Sequence, residues 1–304
     1  MINPHPGLPD FQYIKPASLV EANQFLTQHV GEAKPFLGGT DVFVRLRDGL
    51  YKDKYLVDVK HLEGMSDISF DPTLGLTVGA AVNMNQVIAS PVVRVHYPLL
   101  AEACRSVASY QLRTRATVAG NICNASPAGD TIGACLVYQG QVRIFGKDGY
   151  RSEQLSGFFL GPGKTTLAPG DIVTEVYLPI QSPGSFGTYI KLGRNQLSDL
   201  SIVGVTVLGY PDALVRSGFQ FHIALASVAP IPLIPTEAEI FLAEHPINSE
   251  ILKQAAMLAQ EACNPIDDVR GSARYRKLMV NNITFKALNI VWEQLKIHHA
   301  QERG

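Results

Sequence analysis

The residues best suited to bind a ligand lie in two glycine-containing segments of the sequence. The first, Phe36-Leu37-Gly38-Gly39-Thr40-Asp41-Val42, contains two adjacent residues without Cβ, so consecutive backbone N–H groups can turn toward an anion and approach it closely. Thr40 then adds a hydroxyl donor. Taken alone, a glycine pair in such a strand-like run is also typical of a hairpin turn.

A second segment of the same kind follows at Thr117-Val118-Ala119-Gly120-Asn121. Neither segment contains lysine, and a buried pyrophosphate needs directed hydrogen bonds more than mobile ammonium groups. Two such glycine turns therefore predict a nucleotide cofactor whose pyrophosphate is bound from two sides.

Asp130 follows the second segment at the end of a Pro-Ala-Gly turn. A carboxylate at this position is placed to accept hydrogen bonds from ribose hydroxyls, as in other dinucleotide sites. The alternative is an aspartate that ends a turn or caps a helix before Thr131-Ile132-Gly133. The sequence leaves both interpretations open.

Other motifs do not indicate further chemistry on this chain. The segment 161–167, GPGKTTL, is similar to a triphosphate-binding loop, but Phe158 stands where that motif requires glycine. The four cysteines have no CxxC spacing and the eight histidines form no HExxH motif, which argues against zinc and iron–sulfur sites. No residue has the setting of a nucleophile or a general base. We therefore expect neither a catalytic side chain nor a metal ligand.

Composition and charge exclude several classes of partner. The 26 lysines and arginines against 27 aspartates and glutamates give a formal net charge of −1, so no basic field attracts nucleic acid or an anionic membrane. The apolar run at 223–235 is interrupted by three prolines and is too short to span a bilayer, and the N-terminus lacks a secretory signal. We expect a cytoplasmic protein.

The pattern of elements predicts an α+β fold. Ser18-Leu19-Val20-Glu21 is a capping box that opens an amphipathic helix, and two apolar stretches around Gln139-Gly140 predict a hairpin or tight strand pair. Pro, Gly and Ser concentrate at 179–187, which indicates a domain boundary. Beyond it, three β-rich stretches precede two helical patterns, an order that favours α+β over a doubly wound sheet.

Taken together, PFLGGTDV, TVAGNICNASPAGD, FFLGPGKTTLAPGDIV and YIKLGRNQLSD resemble the FAD-binding medium subunit of the xanthine dehydrogenase and carbon monoxide dehydrogenase family of molybdenum hydroxylases. The resemblance covers nearly the whole chain. It implies an FAD-binding domain of the vanillyl-alcohol-oxidase (PCMH) type at 1–180, with two subdomains at about 1–57 and 58–180. A smaller domain at 185–304 would follow, with a three-stranded antiparallel sheet and helices.

The resemblance also implies roles for individual residues. The FAD pyrophosphate would lie against Gly38, Gly39 and Thr40 in the first segment, and the second phosphate turn would be Thr117, Ala119, Gly120 and Asn121. Asp130 would take a polar ribose or ribityl role, Val173 would lie against the flavin region, and the Lys191 ammonium would reach the cofactor. The full predicted set is Phe36, Leu37, Gly38, Gly39, Thr40, Asp41, Val42, Thr117, Ala119, Gly120, Asn121, Asp130, Val173 and Lys191.

The sequence departs from the family pattern at three places. Ala119 replaces the usual glycine, so we expect it at negative φ, because positive φ with a Cβ costs about 1–2 kcal/mol. Val107 replaces an aromatic residue, which removes one surface for adenine stacking. No histidine is near Thr40, so FAD should be bound non-covalently.

By this resemblance the chain is the flavin subunit of a molybdenum hydroxylase. FAD would take electrons from a [2Fe–2S] cluster on a small partner subunit, while a large partner with the molybdenum cofactor oxidises an aldehyde, purine or N-heterocycle. The electrons would pass to NAD+, oxygen or a quinone. The loop 193–200 is a candidate acceptor-side element or a simple strand connection. Alternatives are a stand-alone FAD-dependent oxidase or reductase of the same fold, and a non-catalytic assembly module.

Overall fold

A computed structural model describes residues 7–195 and 199–302 of the chain. The N-terminal part contains a three-stranded sheet in the order β1-β3-β2, with β1 and β2 both parallel to β3. Two helices connect the three strands. Strand β2 ends at Phe36, so the glycine pair comes directly after it. The elements are β1 (Gln12–Ile14), α1 (Leu19–Gln28), β2 (Ala33–Phe36), α2 (Val42–Arg47) and β3 (Tyr55–Asp58).

The predicted N-terminus of α1 is confirmed. The Ser18 hydroxyl accepts a hydrogen bond from the Glu21 backbone N–H at 3.2 Å. The Glu21 carboxylate accepts from the backbone N–H of Ala17 at 2.7 Å, one residue before the cap. Both side chains thus satisfy backbone donors at the start of the helix.

The next part of the chain forms a five-stranded antiparallel sheet in the order β4-β5-β10-β6-β7, with helices packed against it. The strands are β4 (Ile68–Asp71), β5 (Gly75–Gly79), β6 (Gln141–Gly146), β7 (Gly149–Gln154) and β10 (Ile172–Pro179), and the pair β8 (Phe159–Gly161) and β9 (Lys164–Thr165) forms a separate ribbon. The helices are α3 (Met84–Ala89), α4 (Pro91–His96), α5 (Pro98–Arg105), α6 (Tyr110–Arg113), α7 (Val118–Asn124), α8 (Ile132–Val137) and α9 (Leu155–Phe158).

The structure corrects the hairpin predicted around Gln139-Gly140. The apolar stretch before these residues is helix α8, and the hairpin is formed instead by β6 and β7, which follow them. Every residue of α8 is buried, so its sequence is apolar throughout and has no periodicity that distinguishes helix from strand. The residues after Gly38-Gly39 are likewise helical, in α2.

The C-terminal part contains an antiparallel sheet in the order β11-β12-β13, covered by helices. Its core joins buried residues of the sheet, such as Val205 and Ile223, to Leu288, Val291 and Leu295 of the last helix. The elements are β11 (Phe186–Leu192), β12 (Val203–Pro211), β13 (Phe219–Ala226), α10 (Thr236–Glu244), α11 (Ser249–Glu261) and α12 (Ala273–Glu302). The predicted boundary at 179–187 includes the connection between β10 and β11; the domain limits themselves remain our proposal.

The two parts of the chain pack closely against each other. A Cβ built on Gly133 of α8 would lie 2.3 Å from the Thr206 hydroxyl of β12, so only glycine allows this approach. Tyr189, Leu208 and Ala224 of the C-terminal sheet belong to the same buried cluster as the core of the five-stranded sheet. The C-terminal sheet is therefore positioned to contribute residues to a site on the preceding domain.

Candidate functional site

A cleft of about 420 Å³ lies between the parts of the fold described above. Its walls come from the loop after β2, from α7 and the residues that follow it, from the start of β10, and from Asp199 and Leu200. This volume lies within the range of small-molecule and cofactor sites. Both glycine segments singled out in the sequence contribute to it.

The first segment is pressed against the chain that leads into the second. A Cβ built on Gly38 would lie 2.0 Å from the Arg115 carbonyl oxygen, so the two backbones touch at this point. Gly39 has φ +74°, and a Cβ on it would lie 2.4 Å from the Phe36 ring. Each glycine is required for a different reason, Gly38 for close approach and Gly39 for conformation.

The second segment differs from the predicted glycine turn, because it is the beginning of helix α7. Thr117 is the N-cap, and its hydroxyl accepts a hydrogen bond from the Gly120 backbone N–H at 2.9 Å. Ala119 lies inside the helix with negative φ, as expected. The Gly120 N–H is therefore engaged by the cap, and the threonine hydroxyl orients the first turn of the helix at the cleft.

Asp130 lies in a polar cluster that joins the two domains. Its carboxylate is 7 % exposed and accepts hydrogen bonds from the Tyr189 hydroxyl at 2.6 Å and from the Lys191 ammonium at 2.7 Å. Lys191 also donates to the Ser106 carbonyl at 3.2 Å. Burial raises the pKa of Asp130 above its ordinary value of 3.8, although Lys191 and Tyr189 act in the opposite direction. The N-cap of α8 is Thr131, so Asp130 does not cap that helix.

Most of the predicted residues line this cleft. Those at its surface are Leu37, Gly38, Gly39, Thr40, Asp41, Val42, Thr117, Gly120, Asn121, Asp130 and Val173. Phe36 and Ala119 are almost fully buried behind the wall, and Lys191 stands behind Asp130. Lys191 thus contacts the cleft through Asp130 in this structure.

Several residues of the wall were not anticipated from the sequence. Tyr51 lies in the connection after α2, and the Lys34 ammonium is 4.1 Å from the centre of its ring. The Arg45 guanidinium donates to the Tyr51 hydroxyl at 2.9 Å. The cleft therefore has an aromatic side chain in addition to the aliphatic Val107. No local motif marks Tyr51, because its position depends on how α2 and β3 pack.

The loop 193–200 borders the cleft at its far end. The Arg194 guanidinium forms an ion pair with the Asp199 carboxylate at 3.1 Å, and the Arg194 backbone N–H donates to the same carboxylate at 2.7 Å. Hydrogen bonds from Arg194 hold the pKa of Asp199 well below its usual range. Asp199 and the exposed Leu200 reach the cleft wall. Residues 196–198, which belong to this predicted acceptor-side element, lie outside the described residues.

Thiols and metal ligands do not assemble into a reactive site in the described chain. Cys123 lines the cleft, but burial raises the pKa of its thiol to about 12, so it is protonated at neutral pH. Within residues 7–195 and 199–302, no group of three or more histidine, cysteine, aspartate or glutamate side chains is arranged to hold a metal ion. Over the same part of the chain, no helix has the length and hydropathy to cross a bilayer.

Two family descriptions match consecutive parts of the chain. Residues 9–181 match the FAD binding domain in molybdopterin dehydrogenase, and residues 188–291 match the CO dehydrogenase flavoprotein C-terminal domain. The carbon monoxide dehydrogenase medium chain of Hydrogenophaga pseudoflava is 29 % identical over 284 residues, which is 93 % of this chain and 98 % of that protein. A putative xanthine dehydrogenase FAD-binding subunit of Escherichia coli is 27 % identical over 91 % of this chain and 94 % of its own length.

Solved structures show the same architecture. Carbon monoxide dehydrogenase from Hydrogenophaga pseudoflava superposes with a TM-score of 0.89 at 30 % identity, covering 94 % of this chain and 98 % of that one. Quinoline 2-oxidoreductase from Pseudomonas putida gives a TM-score of 0.87 at 25 % identity, covering 95 % and 99 % of the two chains. The predicted α+β fold, a PCMH-type FAD-binding domain followed by a smaller sheet-and-helix domain, is confirmed.

Proposed function

We propose a specific role from the premise that this chain belongs to the family of FAD-binding domains of molybdopterin dehydrogenases, as the sequence resemblance predicted. It is an FAD-dependent oxidoreductase subunit. In our proposal it holds FAD between a small [2Fe–2S] subunit that donates electrons and an external acceptor, which is NAD+, oxygen or a quinone. A large subunit with the molybdenum cofactor oxidises an aldehyde, purine or N-heterocycle.

The observation that carries this proposal is that the first glycine segment packs against the chain leading into the second, and that both line one cleft. Gly38 touches the backbone of Arg115, two residues before the N-cap Thr117, and residues of both segments line the same cavity. A dinucleotide that bridges them fits the donors present, which are backbone N–H groups of the first segment and the hydroxyl and amide groups of Thr40, Thr117 and Asn121, without a lysine in either segment. The Gly120 N–H is already bonded to the Thr117 hydroxyl.

The chain's own residues bind and orient the cofactor. Residues 37–42 would hold one side of the pyrophosphate, and Thr117, Gly120 and Asn121 the other. Asp130 would accept hydrogen bonds from sugar or ribityl hydroxyls, and Lys191 together with Tyr189 keeps its carboxylate in place. Val173 contributes apolar contact. FAD, when bound, supplies the redox chemistry, and the protein supplies position and electrostatic environment.

Partner subunits follow from the names of the relatives rather than from this chain alone. The relative from Hydrogenophaga pseudoflava is a medium chain, and the superposed carbon monoxide dehydrogenase is described as lacking the Mo-pyranopterin moiety of its molybdenum cofactor. We transfer this organisation to the present chain and infer a heterotrimer. Bound FAD would be non-covalent, since no histidine lines the described part of the cleft.

The test is isolation of the native protein from its source, followed by a visible spectrum and identification of the chains that co-purify. We expect flavin absorption that is released on denaturation, together with companion chains that carry iron and molybdenum. A lone yellow protein that turns over an organic substrate would contradict the electron-relay role and favour a stand-alone flavoenzyme. A colourless chain that takes up no added FAD would contradict the cofactor assignment.

A further inference from the structure

A buried arginine in the C-terminal domain is bonded to backbone segments that adjoin the wall of the cleft. Arg276 lies in the first turn of α12 and is 1 % exposed. Its guanidinium donates to the carbonyl oxygens of Ile202 at 2.7 Å and Ser227 at 2.9 Å, and to the Asp268 carboxylate at 2.6 Å. Two of these three bonds therefore go to the main chain of other elements.

Asp268 and Arg270 complete this arrangement, and we name the three residues the Arg276 cluster. Arg270 binds the Asp268 carboxylate through two nitrogens, at 2.6 and 3.1 Å, and donates to the Ser201 carbonyl at 3.4 Å. Burial alone would raise the pKa of Asp268, but hydrogen bonds from Arg270 and Arg276 lower it well below its ordinary value. The carboxylate stays ionised and holds both guanidinium groups.

Two serines carry the connection from the Arg276 cluster to the cleft. The Ser201 and Ser227 hydroxyl oxygens are 2.7 Å apart, and Ser227 also donates to the Ser201 carbonyl at 2.9 Å. On the cleft side, the Ser227 N–H donates to the Pro127 carbonyl at 2.7 Å, and the Ser201 hydroxyl lies 3.4 Å from the Ala128 carbonyl. Ser227 adopts a left-handed φ of +67°, so its backbone is held in a strained conformation.

The segments reached in this way belong to the wall of the cofactor cleft. Ala128 and Asp130 line it on one side, and Asp199 and Leu200, directly before Ser201, line it on the other. A displacement of Ser201 or Ser227 would therefore move both sides of the wall.

The placement of Arg276 is poorly explained by stability alone. A cation in the first turn of a helix is unfavourable with respect to the helix dipole. A buried ion pair contributes little net stability compared with apolar residues of similar size, and its best-supported use is to select one arrangement among several. The planar guanidinium fork fits that use, because it fixes two carbonyls and one carboxylate in a single geometry.

We propose that the Arg276 cluster is a positioning device, which holds the 126–130 loop and the Asp199–Leu200 segment at the separation that FAD requires. It thereby sets both the affinity for FAD and the exposure of the bound flavin to solutes. This inference rests on the proposed function, because it presupposes that FAD occupies the cleft. None of the three residues of the cluster is itself a wall residue, so all act through the backbone they hold.

The experiment uses the full-length chain, stripped of cofactor and titrated with FAD. The variants are Arg276→Lys, which keeps the charge but loses the fork, and Ser201→Ala, which removes one link near the wall. Arg274→Gln is the matched control, since Arg274 is exposed in the same turn of α12. For each variant we would measure the dissociation constant for FAD, the iodide quenching constant of flavin fluorescence at saturating FAD, and the melting temperature without cofactor.

We expect Arg276→Lys to weaken FAD binding about tenfold, because an ammonium cannot replace the three directed bonds. Ser201→Ala should weaken it about threefold. At saturating FAD, iodide quenching should rise in both variants and stay unchanged in Arg274→Gln. A role in stability alone predicts a lower melting temperature with unchanged affinity and quenching, and that result would overturn the inference.

Three further outcomes are decisive. If Arg276→Lys does not fold, Ser201→Ala decides, and wild-type affinity and quenching in that variant would refute the positioning role. A wild-type chain that binds no FAD would contradict the proposed function itself. If the wild-type chain binds FAD and the variants keep its FAD affinity and iodide quenching, only the role of the Arg276 cluster is contradicted.

Discussion

Gly38 and Gly39 are adjacent but serve the cleft in different ways. A side chain on Gly38 would collide with the Arg115 main chain, which cannot move without shifting the start of α7. A side chain on Gly39 would meet the ring of Phe36 and would also have to adopt a left-handed backbone conformation. The first position controls the contact between the two segments, and the second controls the direction of the loop.

This difference gives a prediction with a matched control. Gly39→Ala and Gly49→Ala both place Cβ at a positive φ, +74° and +71°, but Gly49 has open space around it and does not line the cleft. Each substitution should lower the free energy of unfolding by about 1–2 kcal/mol. The loss should be slightly larger for Gly39→Ala, because its Cβ also meets the Phe36 ring. Only Gly39→Ala should weaken FAD binding, as measured by titration of the stripped protein. Equal loss of FAD affinity in both variants would contradict the assignment of the loop.

Helix α7 links secondary structure to the site through its first turn. The Thr117 hydroxyl caps the helix, and Asn121, one turn later, accepts a hydrogen bond from the Thr131 hydroxyl at 2.7 Å. The helix is only seven residues long, so its orientation depends on these side-chain bonds as well as on packing. The cap therefore determines how Gly120 and Asn121 face the cleft.

Thr117→Val should separate this role from general stability. Valine keeps the shape but cannot accept the Gly120 N–H, so the free energy of unfolding should fall by about 1 kcal/mol. Asn248→Ala is the control, because Asn248 caps α11 with bonds to Glu250 and Ile251 and lies away from the cleft. Denaturant unfolding should show similar losses for the two variants, whereas the dissociation constant for FAD should rise only for Thr117→Val. Unchanged FAD binding in Thr117→Val would show that the cap has no part in the site.

Elements with a clear local signal were predicted from the sequence, and fully buried ones were not. The α1 cap at Ser18 and the helices α11 and α12 follow from caps or periodicity, and the strands β11 to β13 follow from their β-rich sequences. Helix α8 has no polar face, and α7 contains a glycine in its first turn, so both gave patterns typical of other structures. The two glycine segments were identified, but Tyr51 and Tyr189 reach the site only through tertiary packing, which no local pattern encodes.

The two domains are tied together at the cleft by a buried ion pair. Asp130 comes from the domain of the five-stranded sheet, and Lys191 and Tyr189 come from strand β11 of the C-terminal sheet. Docking of the second domain thus supplies the partners that a buried carboxylate requires. The polar part of the cleft around Asp130 is therefore complete only when both domains are docked.

Lys191→Met should destabilise the protein by about 3–5 kcal/mol at neutral pH, because it leaves Asp130 buried with only Tyr189 as partner. The pKa of Asp130 is already raised in the folded state, so a proton bound to this carboxyl stabilises the fold. This contribution is complete below pH 3.8, the ordinary pKa, and is lost as pH rises through the raised pKa. The loss in Lys191→Met should accordingly be smaller at pH 5 than at pH 7. Denaturant unfolding at both pH values measures this difference.

The control is the double variant Asp130→Asn with Lys191→Met, which removes both charges. It should be more stable at pH 7 than Lys191→Met alone, since no uncompensated carboxylate remains. A double variant that is no more stable than the single one would show that the loss comes from packing of the lysine side chain and not from the buried charge.

The strand order of the five-stranded sheet has a consequence for synthesis of the protein. Strand β10 occupies the centre of the sheet but is the last of its strands along the chain, and it pairs Leu178 with Leu76. A nascent polypeptide that ends before Ile172 therefore leaves β5 and β6 each with an open edge, which favours association with other chains. Ile172 and Val173 of this strand line the cleft, so the cleft cannot be complete before translation has passed β10.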